Sequence, residues 1–233
     1  GAAQAEAPGR IARIAAELGI RRLVQISAIG ADPESDSEYA RTKAAGEHAV
    51  LAAFPNAVIL RPSIVFGVED RFFNRFASMA SYMPVLPIVA PDTRFQPVYV
   101  EDVAKAAVKA VSEPMEPGVY ELGGPEVCTF RELMERMLHV IGRRRPVITV
   151  PFGLARIQAK VLDFLQRVSF GLFTNKLLTE DQVRLLRRDN VVAAGARGFE
   201  AFGIQPTPMA AILDSYLICY RRGGQFARLR APE

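Results

Sequence analysis

Two residues four positions apart, Tyr39 and Lys43, have types and a spacing that could do chemistry. Residues i and i+4 share one face of a helix, so both side chains would point the same way. A lysine ammonium beside a phenol favours the phenolate, because an opposite charge stabilises the ionised form. The pair therefore predicts a proton-transfer site in which the lysine could also hold a ribose hydroxyl. The same spacing also occurs on ordinary solvent-exposed helices.

Two apolar runs flank this pair and predict buried strands of one sheet. The first is Leu23–Ile26, which is followed by the small residues Ser27 and Ala28. The second covers residues 57–67 and turns at residues 62–64, Pro-Ser-Ile. Ligands of parallel sheets bind outside the carboxyl ends of the strands, so Ser27 and the turn should line the cleft that holds the Tyr-Lys pair.

Further motifs follow in a fixed order along the chain. They are Arg61-Pro62 at the end of the second strand, Val100-Glu101-Asp102-Val103-Ala104 on a helix, and Leu122-Gly123-Gly124 at a turn. Together with the Tyr-Lys helix, this order resembles the extended and atypical short-chain dehydrogenase/reductase superfamily over residues 9–140. The resemblance implies an α/β fold: a Rossmann-like parallel sheet, the C-terminal part of the doubly wound fold, with a smaller, mostly helical substrate-type lobe. We expect a partial NAD(P)-binding domain at residues 1–125 and a basic, mostly helical lobe at residues 126–233.

The glycine-rich phosphate cradle of the superfamily has no counterpart in these 233 residues, since no Gly-x-x-Gly-x-x-Gly follows a predicted strand. Backbone N–H groups of such a turn and the helix after it supply much of the anion binding. Either the chain is a fragment whose N-terminal strands lie elsewhere, or the cradle has been lost. The chain by itself should bind NADPH weakly or not at all, whereas a version extended upstream should bind it well.

The strand before the Tyr-Lys helix separates members of the superfamily. Active members usually have hydroxyl side chains near the end of this strand. In this chain Ser27 is the only hydroxyl residue there, and Ala28 and Ile29 follow it. With the motifs above, this strand resembles the accessory subunit of respiratory complex I and its bacterial homologues. That resemblance implies a subunit that holds NADP(H), in preference to NAD(H), without turnover. It assigns Tyr39, Lys43 and Ser27 to the catalytic-type positions. The implied cofactor-binding residues are Ser27, Ala28, Tyr39, Lys43, Pro62, Ser63 and Ile64.

The same resemblance implies where the protein works and with what. The expected partners are subunits of respiratory complex I, with a peripheral membrane contact and no nucleic acid. The expected location is the cytoplasmic face of a bacterial inner membrane, or the matrix side in a mitochondrion. The competing hypothesis is an NAD(P)H-dependent reductase or a nucleotide-sugar epimerase or dehydratase of the extended type. A third hypothesis, a membrane-surface or lipid-handling protein, rests only on the apolar and basic residues 147–173.

The composition suits a globular chain: 50% of residues are hydrophobic and 23% are charged. No apolar run reaches the roughly 18–20 residues that span a bilayer. The net charge of +4 is uneven. Residues 1–125 carry 12 basic and 15 acidic side chains, a net −3, whereas residues 126–233 carry 17 and 10, a net +7. The basic half predicts a docking surface in which Arg143, Arg144 and Arg145 take part.

Local patterns set several helix boundaries. Ser37 predicts the N-cap of the Tyr-Lys helix, and Thr129 with Glu132 predicts a capping box. Residues 9–18 predict an amphipathic helix that ends at Gly19. Its apolar face would contain Ile11, Ile14, Ala15 and Leu18.

Overall fold

A computed structural model describes residues 2–153 and 180–224. These residues form two compact units built from separated segments. Unit 1 is Gly1–Gly67, Phe95–Val127 and Asn190–Ala211, and unit 2 is Val68–Arg94, Cys128–Asp189 and Ile212–Glu233, as far as these ranges are described. One unit boundary, after Val127, lies close to the predicted one after residue 125. The assignment of a cofactor domain to residues 1–125 and a basic lobe to residues 126–233 stays a prediction.

The elements alternate between helices and short strands. The strands are β1 Val24–Ile26, β2 Val58–Pro62, β3 Val65–Phe66, β4 Leu86–Ile88, β5 Arg94–Phe95, β6 Val98–Tyr99, β7 Gly118–Leu122, β8 Cys128–Thr129 and β9 Val147–Thr149. The helices are α1 Ala2–Glu17, α2 Glu38–Ala53, α3 Phe73–Tyr82, α4 Val100–Ser112, α5 Phe130–Val140, α6 Glu180–Leu185 and α7 Met209–Leu217. Short 3₁₀ turns cover Phe199–Phe202 and Ile218–Tyr220.

Unit 1 is organised around a three-stranded parallel sheet in the order β1-β2-β7. Val24 pairs with Val58, and Val58 in turn pairs with Gly118. The central strand β2 is buried along Val58, Ile59 and Leu60, because helices cover both of its faces. The expected Rossmann-like parallel sheet is confirmed.

Alternate residues of β2 face two different helical layers. Ile59 packs with residues of α1 and α2, including Ala12, Val50 and Phe54. On the other face, Val58 and Leu60 pack against α4, the strand β7 and the Phe199–Phe202 turn. The sheet of unit 1 is therefore the middle layer of three, and its carboxyl edge is left to the loops.

The face that α1 buries differs from the predicted apolar face. Ala12 and Ala15 are buried, whereas Ile11 is 59% exposed and Leu18 is 72% exposed. A Cβ atom built on Gly9 would lie 2.7 Å from Cβ of Ala49, so the two helices pack closely through small side chains. The larger isoleucine and leucine side chains do not fit so close a crossing and stay on the outer face. The prediction was wrong for Ile11, Ile14 and Leu18.

The predicted caps are confirmed. The Ser37 hydroxyl accepts a hydrogen bond from Ala40 N at 3.3 Å and so begins α2. Thr129 and Glu132 form a reciprocal capping box at the start of α5. Both are local arrangements that satisfy backbone N–H groups at a helix N-terminus.

Unit 2 packs its own aromatic cluster. The ring of Phe72 lies 5.7 Å from that of Phe130, and Phe76 lies 5.4 Å from Phe130, centroid to centroid. Phe130 is buried and Phe72 and Phe76 are half-buried, so these rings pack on one another within unit 2. A two-stranded parallel sheet pairs β4 with β9.

Most of the predicted membrane-surface segment 147–173 lies outside the described residues. Among the described helices, none is both long and apolar enough to cross a bilayer.

Candidate functional site

Helix α2 brings Tyr39 and Lys43 together at the carboxyl end of β1. The Lys43 Nζ atom lies 5.8 Å from the centroid of the Tyr39 ring. It also donates a hydrogen bond to the carbonyl oxygen of Ile26, the last residue of β1, at 3.4 Å. The i, i+4 spacing, begun by the Ser37 cap, thus places an amine and a phenol beside the strand end that Ser27 follows.

The Lys43 ammonium was expected to lower the pKa of Tyr39, and the structure does not show that lowering. Burial raises the pKa of the Tyr39 phenol above its ordinary value of 10.0. Burial also lowers the pKa of Lys43, although the nearby Glu47 carboxylate partly opposes that. Loss of water disfavours the charged forms of both groups. The phenol is therefore neutral at physiological pH.

Ser27 is a buried hydroxyl at the same strand end. Its side chain is only 4% exposed, and among the described residues nothing hydrogen-bonds its Oγ atom. Its backbone N–H donates to Leu60 O at 2.7 Å, which holds it beside β2. Buried hydroxyls are rarely left without a partner. A polar group of a bound ligand would satisfy Ser27, so the site fits a ribose or an amide. Ala28, the next residue, is half-buried.

The turn after β2 lies beside this strand end, since Ile29 N donates to Pro62 O at 3.0 Å. Pro62 and Ser63 are buried, and Ile64 is half-buried. The Ser63 hydroxyl is turned inward and donates to the amide oxygen of Asn190 at 2.6 Å. A cofactor contact by Ser63 would therefore use a lone pair of its hydroxyl, since Ser63 N already donates to Leu122 O at 2.9 Å. The roles of Pro62, Ser63 and Ile64 in binding stay predictions.

Asn190 is a residue of this site that the sequence did not assign. Its Oδ1 atom also accepts from Ile64 N at 3.1 Å, and its Nδ2 atom donates to Ile29 O at 3.4 Å. One amide thus joins the loops that follow β1 and β2. It stands in the stretch Asp189-Asn190-Val191-Val192, and nothing in the spacing of that stretch indicates these partners. Among the described residues, no group of three or more His, Cys, Asp or Glu could hold a metal ion.

Comparisons with known proteins agree with this architecture. The family model described as RmlD substrate binding domain matches residues 1–150. The chain is 37% identical over 220 residues to the mitochondrial NADH dehydrogenase [ubiquinone] 1 alpha subcomplex subunit 9 of Arabidopsis thaliana. That match covers 92% of this chain and 55% of the plant protein, so the chain spans about half the length of this relative. It is 34% identical over 144 residues to the ceramide reductase of Caulobacter vibrioides, which covers 61% of this chain and 45% of the reductase.

A solved structure supports the fold at lower identity. The dTDP-glucose 4,6-dehydratase of Bacillus anthracis, solved in complex with NAD, superposes with a TM-score of 0.66 at 15% identity. The match covers 92% of this chain and 66% of the dehydratase. The chain belongs to the RmlD substrate binding domain family of the extended short-chain dehydrogenase/reductase superfamily.

Proposed function

We propose that the intact protein is an NAD(P)H-binding accessory subunit of respiratory complex I that holds its cofactor as a structural ligand without turning it over. The observation that carries the proposal is the end of β1, where Ser27, the one hydroxyl, is followed by Ala28 and Ile29. The Lys43 amine is in addition bonded to the carbonyl oxygen of Ile26, the last residue of β1. The similarity to the plant complex I subunit over most of the chain supports complex I as the partner.

The residues present suit the nicotinamide end of a dinucleotide. Lys43 would hold the ribose hydroxyls, and the Tyr39 hydroxyl and the orphaned Ser27 hydroxyl would complete the polar contacts. Ala28, Pro62, Ser63 and Ile64 would shape the wall of the cleft. The nicotinamide supplies hydride chemistry when it is bound. In this chain the residues that follow Ser27 are Ala28 and Ile29, which offer no hydroxyl to orient a substrate oxygen.

We further propose NADP(H) in preference to NAD(H) as the cofactor, and a peripheral location. The location would be the matrix side of a mitochondrial inner membrane or the cytoplasmic face of a bacterial one. Bound cofactor would stabilise the folded protein by mass action, because it binds the folded state alone. The net +7 of residues 126–233 would favour anionic head groups or acidic partner surfaces.

The two residues of the pair should differ in their effect on cofactor affinity. In the full-length protein, Lys43→Met should weaken NADPH binding about tenfold, the usual worth of a charge-assisted hydrogen bond. Tyr39→Phe should change affinity less than about threefold, because a neutral phenol donates an ordinary hydrogen bond. Fluorescence titration with NADPH measures both values. Arg21→Met removes one exposed positive charge and is the control. Equal effects of Lys43→Met and Arg21→Met would contradict the assignment.

Turnover and partner capture together test the proposed function. Full-length protein incubated with NADPH and a panel of carbonyl substrates should oxidise no cofactor. The same protein, tagged, should recover complex I subunits from detergent-solubilised membranes. Reduction of a small carbonyl at about 1 s⁻¹ or faster, with no complex I recovered, would instead favour an enzyme.

A reductase is the second candidate. Two observations favour it: Ser27, Tyr39 and Lys43 are all present, and the chain resembles a ceramide reductase over 144 residues. On this hypothesis Tyr39→Phe would abolish turnover while affinity for NADPH stays nearly unchanged. The turnover assay described above separates the two candidates directly.

A further inference from the structure

An arginine lies inside the sheet of unit 1. Arg61 belongs to β2, whose neighbouring residues Leu60 and Pro62 are buried, and its side chain is 22% exposed. Arg61 is therefore half-buried, and charged side chains withdrawn from water in this way are usually paired, because burial without a partner is costly. The partners of Arg61 come from two other elements.

The first partner is Glu47 on α2. Arg61 Nε donates to Glu47 Oε1 at 2.9 Å, and Arg61 Nη2 donates to Glu47 Oε2 at 2.5 Å. Two parallel bonds of this kind fix both the distance and the direction between the groups. Glu47 has a side chain only 6% exposed, so water competes little for it. This pair of Arg61–Glu47 hydrogen bonds, called the fork below, therefore fixes one point of α2 to the central strand of the sheet.

That point lies one helical turn from the candidate site. Tyr39, Lys43 and Glu47 follow each other at intervals of four, so they form one stripe along α2. A rotation or slide of α2 that moved Lys43 away from Ile26 would have to break the fork at Glu47. The other contacts of this helix region with the sheet, at Val50 and Phe54, are apolar and define direction less sharply than paired hydrogen bonds.

The second partner is Glu121 on β7. Its Oε1 atom lies 3.6 Å from Arg61 Nη1, and its Oε2 atom accepts from Ala193 N at 2.8 Å. The group thus connects α2, β2 and β7 with the segment that contains Asn190. The same segment ties the two loops at the carboxyl ends of β1 and β2.

We propose that Arg61, held between Glu47 and Glu121, is a positioning residue that sets Lys43 and Tyr39 over the carboxyl end of β1 for cofactor binding. The inference rests on the proposed binding of NAD(P)H at this site. It assigns a function to three charged residues that do not touch the cofactor. It also predicts two effects of Glu47 on Lys43: the fork positions the lysine, and the carboxylate charge raises its pKa.

The groups that face Lys43 are the Tyr39 ring, the Ile26 carbonyl and the Glu47 carboxylate. Glu47 raises the pKa of Lys43 and so offsets part of the lowering by burial. The ammonium is the form that donates to a ribose oxygen. Its contribution to binding is present below the pKa of Lys43 and is lost as pH rises through it. Without the Glu47 charge this loss should begin at a lower pH.

The first measurement needs no cofactor. Amide hydrogen exchange is followed in the full-length protein carrying Glu47→Gln, with Glu38→Gln as the matched control on the same helix. Amides of α2 around Lys43 should exchange about tenfold faster in Glu47→Gln than in Glu38→Gln, since a buried charged pair is lost only in the former. Amides of α4 should exchange alike in both variants, which excludes a general loss of stability.

The second measurement is NADPH affinity against pH for the same proteins. Glu47→Gln should weaken binding about tenfold at neutral pH and move the alkaline loss of binding to lower pH, as the charge argument requires. Glu38→Gln should follow the unmodified protein. If Glu47→Gln does not fold, Arg61→Lys replaces it, because lysine keeps the charge but cannot form the fork. Arg61→Lys should then loosen α2 and weaken NADPH binding. The pH at which binding is lost on the alkaline side should stay the same, because Glu47 keeps its charge.

The two measurements separate the inference from the proposed function. If the unmodified full-length protein binds no NADPH, the proposed function fails, while the exchange of α2 still tests the positioning role. If NADPH binds but neither variant changes the exchange of α2 amides or the affinity beyond Glu38→Gln, the positioning role of Arg61 is overturned. An unchanged alkaline limb in Glu47→Gln would overturn the electrical part alone.

Discussion

Replacing Gly124 with alanine is expected to destabilise the fold by about 3 kcal/mol, the upper part of the range for overpacking. A Cβ atom at Gly124 would overlap the carbonyl oxygen of Pro97 and come within 3.1 Å of its carbonyl carbon. The obstacle is backbone, so no side-chain rotation relieves it. Gly124 N also donates to Gln96 O at 3.2 Å, and Gln96 Nε2 donates to Gly124 O at 2.8 Å. These two bonds hold the segments around Gln96 and Gly124 together at the point where the added methyl group would push them apart.

Urea unfolding of the Gly124→Ala protein measures this cost. Gly153→Ala is the control, because a Cβ atom there meets no described atom within 4 Å. The control should stay within about 0.5 kcal/mol of the unmodified protein, as ordinary surface substitutions do. A loss at Gly124 no larger than at Gly153 would show that the turn shifts freely, contrary to the packing described above.

Reversing the charge of Arg143 should also cost about 3 kcal/mol, since its hydrogen bonds involve a charged donor. Arg143 Nε donates to Tyr220 O at 3.0 Å and Nη1 donates to Ser81 O at 3.4 Å. Ser81 lies in the last turn of α3, where a positive charge is favourable and a carboxylate is not. Arg143→Glu would therefore replace two donors with a group that repels both carbonyls.

The neighbouring Arg144 gives the matched control, because its side chain is exposed. Arg144→Glu should change stability by less than about 0.5 kcal/mol in the same urea titration. Arg145 is also engaged, through Nε to Ala80 O at 3.1 Å. Docking through the predicted arginine cluster is thus tested cleanly only by Arg144→Glu, which should weaken recovery of complex I subunits. Equal stability of the Arg143 and Arg144 variants would contradict the structural role of Arg143.

What could be predicted from the sequence is what depends on near neighbours in the chain. The Ser37 cap, the Thr129–Glu132 box and the helical stripe of Tyr39 and Lys43 each involve residues three or four apart. The parallel sheet followed from two apolar runs and a familiar order of motifs. These features survive because local hydrogen bonds and side-chain periodicity decide them.

What could not be predicted depends on residues far apart or on burial. Asn190 meets Ser63 across 127 positions, which no spacing rule covers. The pKa direction of Tyr39 depends on how much water its surroundings exclude. Arg61 does carry a signal in the sequence, because a charge in an apolar strand requires a partner. Helix α1 buries Ala12 and Ala15 and leaves its isoleucines outside, because Gly9 and the alanines allow a closer crossing with α2.

The interleaving of the two units has a consequence for synthesis on the ribosome. The three described strands β1, β2 and β7 have all been made once β7 has emerged, but the segment that begins at Asn190 comes some 60 residues after Val127. At a translation rate of about 5–20 residues per second, this delay lasts roughly 3–12 s. During it the loops after β1 and β2 lack the Asn190 amide, and Glu121 lacks its bond from Ala193. The nascent chain would therefore carry the three strands of the sheet before the segment that completes its binding edge.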